Sequence, residues 1–319
     1  MNLHPSKIDV AVLLIFFVRV EKTEEVFNEI RKARPSKLFL YQDGPRAERK
    51  DDMQKIEACR KIVEQIDWDC EVFRYYQDKN FGCDPSEYIA QKWMFSHVDK
   101  GIILEDDDVP SQSFFPFCKE LLDKYEHDYR INIICGMNNL GSTSSNASYI
   151  FTRYGSIWGW ATWKRNVDLW DKDFKWMNDE ETVKSLKIKY PNFKQLIRVC
   201  KYHISTGRDH YESILGAHQW LNHQLNIVPT QNMITNIGIG ADTTHSCDDI
   251  NKLPKATRKL LYQPRHEIDF PIIHPDYVVE DMGFKRKFEK LCRPNKFVWF
   301  LRRIEGFIYR NFPFTRNLF

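Results

Sequence analysis

Residues 101–109 read GIILEDDDV, an apolar run that ends in four consecutive acidic side chains, Glu105 to Asp108. The apolar part is typical of a buried strand, so the acidic residues are expected at its carboxyl end. Four adjacent carboxylates cannot all be buried without a compensating cation, and this edge of an open α/β sheet is where ligands bind. Because Mg²⁺ and Mn²⁺ prefer oxygen ligands and often bridge to phosphates, the stretch predicts a metal–diphosphate site. The alternative is a solvated acidic turn that precedes a helix starting near Ser113.

Apolar runs and amphipathic stretches alternate around this point. We predict strands at 9–18, 37–41, 70–75, 101–104 and 131–135, and helices at about 23–33, 47–66, 85–97 and 113–127. This rhythm predicts an α/β fold, with a mainly parallel sheet and helices on both faces. Right-handed crossovers bring the ends of such strands to one edge, so Asp43, Asn80 and residues 105–108 are expected to face one crevice.

Composition limits the classes of function and the compartment. The chain has 319 residues, 42% of them hydrophobic and 14% aromatic with nine Trp, which predicts a sizeable core and flat rings suited to sugars. A net charge of +3 does not favour nucleic acid as a partner. The eight Cys form no CxxC pair and have no zinc spacing, so we expect reduced thiols in the cytoplasm. The apolar run 11–18 is too short to cross a bilayer and is expected to be a strand rather than a signal peptide.

Two later stretches carry further candidate residues. Residues 158–163 read WGWATW, in which rings could form the walls of a ligand site and small residues could let the backbone approach; the alternative is a Trp-filled core. A helical stretch at about 209–225 is followed by residues 236–245, NIGIGADTTH. That loop could close over a diphosphate or bring His245 to a metal, or it could be an exposed polar loop.

Five motifs in order carry a resemblance: Asp43-Gly44-Pro45-Arg46, Asn80-Phe81-Gly82-Cys83, Ile103-Leu104-Glu105-Asp106-Asp107, the Trp158–Trp163 stretch, and Asn236-Ile237-Gly238 with Thr244-His245. Together they resemble bacterial nucleotide-diphospho-sugar glycosyltransferases of the GT-A, Rossmann-like fold. More distantly the chain is similar to eukaryotic N-acetylglucosaminyltransferase I, where Phe-Phe likewise follows the acidic motif, here as Phe114-Phe115. The resemblance spans about residues 9–247.

The resemblance implies a role for each matching residue. Asp43 would contact the base or ribose of the donor nucleotide, Arg46 and Asn80 belong to the same donor-binding motifs, and Asp106 would lie near the ribose. Asp107, with Glu105, would ligate Mn²⁺ or Mg²⁺. Trp158, Gly159 and Trp160 would form the floor beside the sugars, and His245 would belong to the loop that closes on the diphosphate. A cation that neutralises the departing diphosphate makes it a better leaving group.

The acceptor base is where this chain departs from the family. Relatives often carry an Asp three residues before the equivalent of Trp220, and this chain has Ala217 there. An inverting transferase needs a base within hydrogen-bond reach of the acceptor. Glu212 is the preferred substitute, with His218 and Asp209 behind it; alternatively, all three are surface polar residues and the base lies elsewhere.

The C-terminal residues differ in character. Residues 284–319 contain ten Lys or Arg, two acidic residues and ten aromatic residues. Such interleaving favours an anionic membrane surface; packing of the rings on the domain and nucleic-acid binding are the alternatives.

Taken together, the sequence predicts a metal-dependent glycosyltransferase that moves a sugar from a nucleotide diphosphate, expected to be UDP, to a hydroxyl of a surface glycan or lipid-linked glycan. Inversion at the anomeric carbon rests on the resemblance. We expect a GT-A domain over 1–250, with a nucleotide-binding half (1–136) and an acceptor half (137–250), and a basic, aromatic C-terminal helical tail over 251–319. The protein would lie on the inner face of the cell membrane. One alternative is a non-catalytic sugar-nucleotide or glycan-binding module, which Ala217 suggests. Another is a metal-dependent phosphohydrolase, but the sequence lacks the second cluster of His and Asp ligands that such an enzyme would need.

Overall fold

The structure is a computed structural model and describes residues 3–190, 193–207, 209–238, 249–292 and 294–311. An eight-stranded sheet runs through it in the order β3-β2-β1-β4-β8-β6-β9-β7. Its strands are β1 (Ile8–Phe16), β2 (Pro35–Gln42), β3 (Glu71–Tyr76), β4 (Lys100–Glu105), β6 (Ile131–Cys135), β7 (Tyr149–Thr152), β8 (Trp160–Trp163) and β9 (Leu225–Pro229). A separate antiparallel ribbon pairs β5 (Asp108–Pro110) with β10 (Ile234–Asn236).

The described helices connect and cover these strands. They are α1 (Val20–Ala33), α2 (Asp52–Val63), α3 (Cys83–Met94), α4 (Phe114–Lys124), α5 (Lys164–Val167), α6 (Glu180–Lys189), α7 (Phe193–Thr206), α8 (Tyr211–Leu221), α9 (Lys255–Leu261), α10 (Met282–Cys292) and α11 (Lys296–Asn311). The first four lie where the sequence predicts them. Helix α2 begins five residues later than expected, because residues 46–51 form turns that bring Arg46 to the side chain of Asp52.

The predicted fold class is confirmed by the strand directions. Strands β3, β2, β1 and β4 are parallel to one another, β6 and β9 run the same way, and β8 and β7 run against them. Six of the eight strands therefore share one direction. Because β7, β8 and β9 join the same sheet, the proposed nucleotide-binding and acceptor halves share it; the domain division itself stays a prediction.

The core consists of two apolar layers, one on each face of the sheet. Alternate residues of β1 point to opposite layers: Val12 and Leu14 into one, Leu13 and Ile15 into the other. The first layer contains residues of α1, α2 and α4, and the second contains residues of α3, α5 and α8. A strand buried on both faces reads as a continuous apolar run, and this is the pattern that predicted β1 and β4.

The C-terminal residues continue along the sheet before the last helices. The backbone N–H of His266 donates to Asn232 (2.7 Å), that of Ser148 to Ile273 (2.8 Å) and that of Asp281 to Phe151 (2.7 Å). Helix α10 stacks Phe288 on Tyr154, with ring centroids 4.8 Å apart. The segment from 262 to 292 therefore packs on the domain.

Helix α11 packs through one side. Its buried residues are Gly306 and Tyr309; a Cβ on Gly306 would contact Pro254 at 3.4 Å, and the guanidinium of Arg258 lies 5.2 Å from the Tyr309 ring centroid. Large apolar side chains on the helix are exposed: Phe297 (68%), Trp299, Phe300 (57%), Leu301, Ile304 and Phe307 (56%). Within the described residues, no helix has the length and apolarity needed to cross a membrane.

Candidate functional site

A cavity of about 220 Å³ opens at the carboxyl ends of β1, β2 and β4. It is lined by side chains from these strand ends, from the loop after β3 and from the start of α3: Phe17, Arg19, Tyr41, Asp43, Arg46, Asn80, Cys83, Ser86, Glu87, Glu105 and Asp106. The convergence of Asp43, Asn80 and the acidic stretch on one crevice is as the strand order predicts, since parallel strands end at one edge.

Asp43 holds together two walls of this cavity. Its carboxylate accepts hydrogen bonds from the backbone N–H of Gly44 (2.9 Å), Phe81 (2.9 Å) and Gly82 (2.9 Å), and from Nδ2 of Asn80 (2.8 Å). Burial nevertheless raises the pKa of Asp43 above its usual value. Gly44 is needed here, because a Cβ at this position would lie 2.5 Å from the backbone of Lys79. Asp43 therefore orients the loop after β3 against the end of β2.

Arg46 is positioned by a fork of contacts with Asp52 at the start of α2. Its Nε lies 2.8 Å and its Nη2 2.7 Å from the two carboxylate oxygens of Asp52. The guanidinium also lies 5.2 Å from the ring centroid of Phe17. This bidentate geometry orders a cation at the rim of the cavity, where an anionic ligand could reach it.

Arg19 supplies the cation that the acidic stretch requires. It follows β1, and its guanidinium lies 2.5 Å from Oδ1 of Asp106 and 2.5 Å from Oδ2 of Asp107. The backbone N–H of Phe17 donates to the other oxygen of Asp106 (3.1 Å). Burial raises the pKa of Asp106 to about 6, although Arg19 opposes the rise. Arg19 therefore neutralises part of the charge for which a metal was predicted.

Asp107 and Asp108 connect the acidic stretch to β10. Nδ2 of Asn236 donates to Oδ1 of Asp107 (2.9 Å) and to Oδ1 of Asp108 (3.0 Å). The buried Asp108 also accepts from the backbone N–H of Gly159 (2.8 Å), a residue with a φ of 61°. A Cβ on Gly238 would lie 2.3 Å from Oδ2 of Asp107, so only glycine leaves this carboxylate open on that side. Asp108 thus acts as a structural tie, while Asp107 faces the loop that follows β10.

Glu105 and Glu87 add two more carboxyl groups at the base of the cavity. Burial raises the pKa of Glu87 well above its usual range, and the charges of Asp108 and Glu212 raise it further. Burial likewise raises the pKa of the half-buried Glu105, followed by the charges of Glu87 and Asp108. Carboxyl groups whose pKa values are raised by burial and by neighbouring carboxylates mark a site short of positive charge.

A divalent cation fits this arrangement. The donor atoms are carboxylate oxygens, which Mg²⁺ and Mn²⁺ prefer. Arg19 contributes only one positive charge, and the raised pKa values of Glu105 and Glu87 indicate room for more. Asp107 and Glu105 could hold the ion, with Arg19 as a competitor for Oδ2 of Asp107.

The aromatic motif is divided between core and partly exposed positions. Trp160 is buried in the second core layer, in agreement with the Trp-filled core that the sequence left open. Trp158 is half-buried and packs against the first layer. Gly159 lies between them and donates to Asp108. His245 lies outside the described residues.

The three candidate bases occupy different environments around α8. Glu212 is exposed in the first turn of the helix, and its charge acts on Glu87 and Cys83 of the cavity wall. Asp209 lies 3.6 Å from Nζ of Lys172. His218 is buried at the other end of α8, where burial and then Arg165 lower its pKa to about 4. Of the three, Glu212 is the one whose charge raises the pKa of groups that line the acidic cavity. Ala217 is buried in the core.

Two residues of the site escaped the sequence reasoning. Arg19 comes directly after the apolar run of β1. Residues that follow parallel strands lie at the ligand-binding edge of the sheet, and this reasoning applies to Arg19 as it does to Asp43. Glu87 lies one turn into α3, on the buried face that carries Ala90 and Met94. Because acidic side chains are rarely buried, its place on this apolar face was the sequence signal that could have identified it.

Comparison with known proteins gives weak likenesses. No protein-family model and no curated protein matches the chain. It is similar to the glycosyltransferase GlyE of Streptococcus pneumoniae TIGR4, with 12% identity and a TM-score of 0.28 over 58% of this chain and only 40% of that protein. It is also similar to a UDP-glucose pyrophosphorylase complexed with UDP-glucose, with 6% identity and a TM-score of 0.36 over 71% of this chain and 92% of that protein. A third likeness is to the inositol-1-phosphate CTP transferase from T. maritima, with 11% identity and a TM-score of 0.31 over 55% of this chain and 76% of that protein. Likenesses at this level assign no activity.

Proposed function

We propose that the protein is a metal-dependent glycosyltransferase of the GT-A type that uses a nucleotide-diphosphate sugar. The observation that carries the proposal is the meeting of Asp43, Arg46, Asn80, Glu105 and Asp106 around one cavity at the carboxyl edge of parallel strands. This edge suits a nucleotide in open α/β sheets. The order of the five sequence motifs supports the same assignment.

In this proposal the residues divide into three groups by role. Asp43 and Asn80 hold the wall against which the base and ribose would lie. Arg46 and Arg19 offer guanidinium groups to the phosphates. Asp107 and Glu105 would bind Mn²⁺ or Mg²⁺, which when bound stabilises negative charge on the departing diphosphate.

The acceptor hydroxyl would lose its proton to Glu212. This carboxylate is exposed in the first turn of α8 and lies within electrostatic reach of Glu87 and Cys83, so it could face a sugar held at the acidic cavity. Attack on the anomeric carbon from the face opposite the leaving diphosphate would invert its configuration. The acceptor is a hydroxyl of a glycan or lipid-linked glycan.

We also propose that α11 holds the enzyme on an anionic membrane surface. Phe297, Phe300, Leu301, Ile304 and Phe307 recur at spacings of three and four, so they share one face of the helix, opposite the buried Gly306 and Tyr309. Packing of the aromatic residues on the domain accounts for Tyr309 but leaves this exposed face without a partner in the described structure. Arg303 and Arg310 add positive charge near it.

The test of the donor site is Asp107→Ala, measured by UDP binding with and without Mn²⁺. We expect the wild type to bind UDP more tightly with Mn²⁺ and the variant to lose that increment while keeping its far-ultraviolet circular dichroism. Unchanged Mn²⁺-dependent affinity in the variant would contradict the metal assignment. Asp128→Ala, which removes an acidic residue paired with Arg130 outside the cavity, is the matched control.

A non-catalytic sugar-nucleotide or glycan-binding module is the second candidate. It is favoured by the double contact of Arg19 with Asp106 and Asp107, which partly neutralises the acidic stretch without a metal, and by the buried Ala217. Purified protein incubated with nucleotide sugars and Mn²⁺ separates the two candidates. Binding without any donor hydrolysis or transfer would favour the module.

A further inference from the structure

A second cluster of metal-ligating side chains lies where the first turns of α3 and α8 meet. Asp84 belongs to the first turn of α3, His210 precedes α8, and Glu212 lies in its first turn. One ligand atom from each of the three lies within 4.8 Å of the others. None of the motifs predicted a metal here, since Asp84 and His210 are 126 positions apart in the sequence.

The distance between the first two ligands suits a shared cation. Nδ1 of His210 lies 3.3 Å from Oδ2 of Asp84, longer than the roughly 2.7–2.9 Å of a charge-assisted hydrogen bond. Donor atoms about 2.1 Å from a tetrahedral metal are about 3.4 Å apart. The pair is therefore spaced as two ligands of one ion would be.

The orientation of His210 is set by its neighbours. Its Nε2 lies 3.0 Å from Oγ1 of Thr206, and its ring stacks on His203 with centroids 3.8 Å apart and an interplanar angle of 22°. His203 is in turn tied to Ser213 through Nδ1 (2.7 Å). A partner on one ring nitrogen leaves the other directed at Asp84, which is how metal-binding imidazoles are held.

The surroundings also favour a bound cation. Asp84 is only 9% exposed, and it and Glu212 each lie in the first turn of a helix. A cavity of about 680 Å³ is lined by the three residues together with Tyr154, His203 and Trp220. Three protein ligands beside such a space leave a coordination position open to water or another ligand.

We propose that Asp84, His210 and Glu212 form a binding site for a borderline divalent cation such as Zn²⁺, separate from the all-oxygen site at the acidic stretch. A mixed set of one imidazole and two carboxylates suits Zn²⁺ or Co²⁺ better than Mg²⁺. The site stands whether or not the protein transfers sugars.

The test uses Co²⁺ alone, added to the metal-free full-length protein. Co²⁺ at an imidazole-containing site of low coordination number absorbs strongly in the visible, whereas a six-coordinate all-oxygen site absorbs weakly. We expect a strong band with a stoichiometry of one, displaced by Zn²⁺. His210→Gln and Asp84→Asn should each weaken binding by about 100-fold or more, since even groups that only support a ligand contribute 10- to 100-fold.

Two matched variants serve as controls. His127→Gln removes an exposed imidazole outside the cluster, and Asp107→Asn alters the other site; both should keep the band. Absence of the band in the wild type, or its persistence in His210→Gln, overturns the proposal. If His210→Gln does not fold, pulsed electron paramagnetic resonance of bound Cu²⁺ is the second measurement. We expect coupling of Cu²⁺ to an imidazole nitrogen in the wild type and a changed coupling in Asp84→Asn. The proposal is overturned if the wild type shows no such coupling or if Asp84→Asn leaves it unchanged.

Discussion

Replacing Arg19 by methionine should destabilise the folded protein by about 3 kcal/mol at pH 8, because it leaves buried carboxylates without their cation. Arg19 contacts Asp106 and Asp107 at 2.5 Å, and these side chains are only 2% and 9% exposed. Breaking a fully buried pair costs about 3–5 kcal/mol; the guanidinium is 22% exposed, which places the effect at the lower end. Methionine keeps much of the side-chain volume, so the loss is mainly one of charge.

The destabilisation should depend on pH in a defined direction. With Arg19 present, the pKa of Asp106 is already about 6, above the usual 3.8, and removing Arg19 raises it further. A carboxyl group whose pKa is higher in the folded state than in the unfolded chain costs stability when it ionises. Relative to the wild type, the penalty is therefore small below about pH 6, where Asp106 is protonated in both folded proteins. It grows as the pH rises towards the higher folded-state pKa of the variant and is complete above that pKa.

Mn²⁺ should partly restore the stability of the variant. Arg19 and a metal at Asp107 compete for the same oxygen, Oδ2, so the variant should bind the ion more tightly than the wild type. A ligand at 100 times its dissociation constant stabilises the folded state by about 2.7 kcal/mol. Saturating Mn²⁺ should therefore recover most of the stability lost in Arg19→Met, and it should stabilise the wild type by a smaller amount.

The assay is urea unfolding at pH 4, 6 and 8, with and without Mn²⁺, of the wild type, Arg19→Met and the control Arg31→Met. Arg31 pairs with Asp67 at 2.5 Å, but both side chains are 38% exposed, so its loss should cost less than about 1 kcal/mol. An Arg19→Met variant no less stable than the control at pH 8, or equally destabilised at pH 4 and pH 8, would refute this electrostatic account of the acidic stretch.

Three further outcomes are expected. Glu87→Gln should stabilise the protein above neutral pH and leave it unchanged near pH 4, because the raised pKa of Glu87 makes its ionisation costly and glutamine resembles the protonated acid; unfolding free energies against pH check this. Glu212→Gln should lower turnover by about 10²-fold or more with little change in donor binding, while Asp209→Asn remains near normal; the reverse order would move the base to Asp209. The double variant Phe300→Asp, Phe307→Asp should bind anionic vesicles about 1,000-fold less tightly in co-sedimentation, since each of the two buried rings contributes about 2 kcal/mol, and retention on vesicles would remove α11 as the membrane contact.

The sequence was sufficient where one local pattern decides the structure. Strands β1 and β4 are buried on both faces and read as continuous apolar runs, and β6 coincides with the predicted 131–135. The edge at which Asp43 and the acidic stretch converge follows from strand order and crossover handedness. The short strands β7 and β8 were not predicted, because four residues hold too little periodicity to separate a strand from a loop.

Only the tertiary structure decided which charges meet. The need for a cation near residues 105–108 was readable from the sequence, but its identity as Arg19 depends on the pairing of Ile15 with Glu105 in adjacent parallel strands. The meeting of Asp84 with His210 likewise depends on how α3 packs against α8. Local propensity acts over a few neighbouring residues, whereas electrostatic partners are chosen by distance in space, and packing of the sheet and its helices sets that distance.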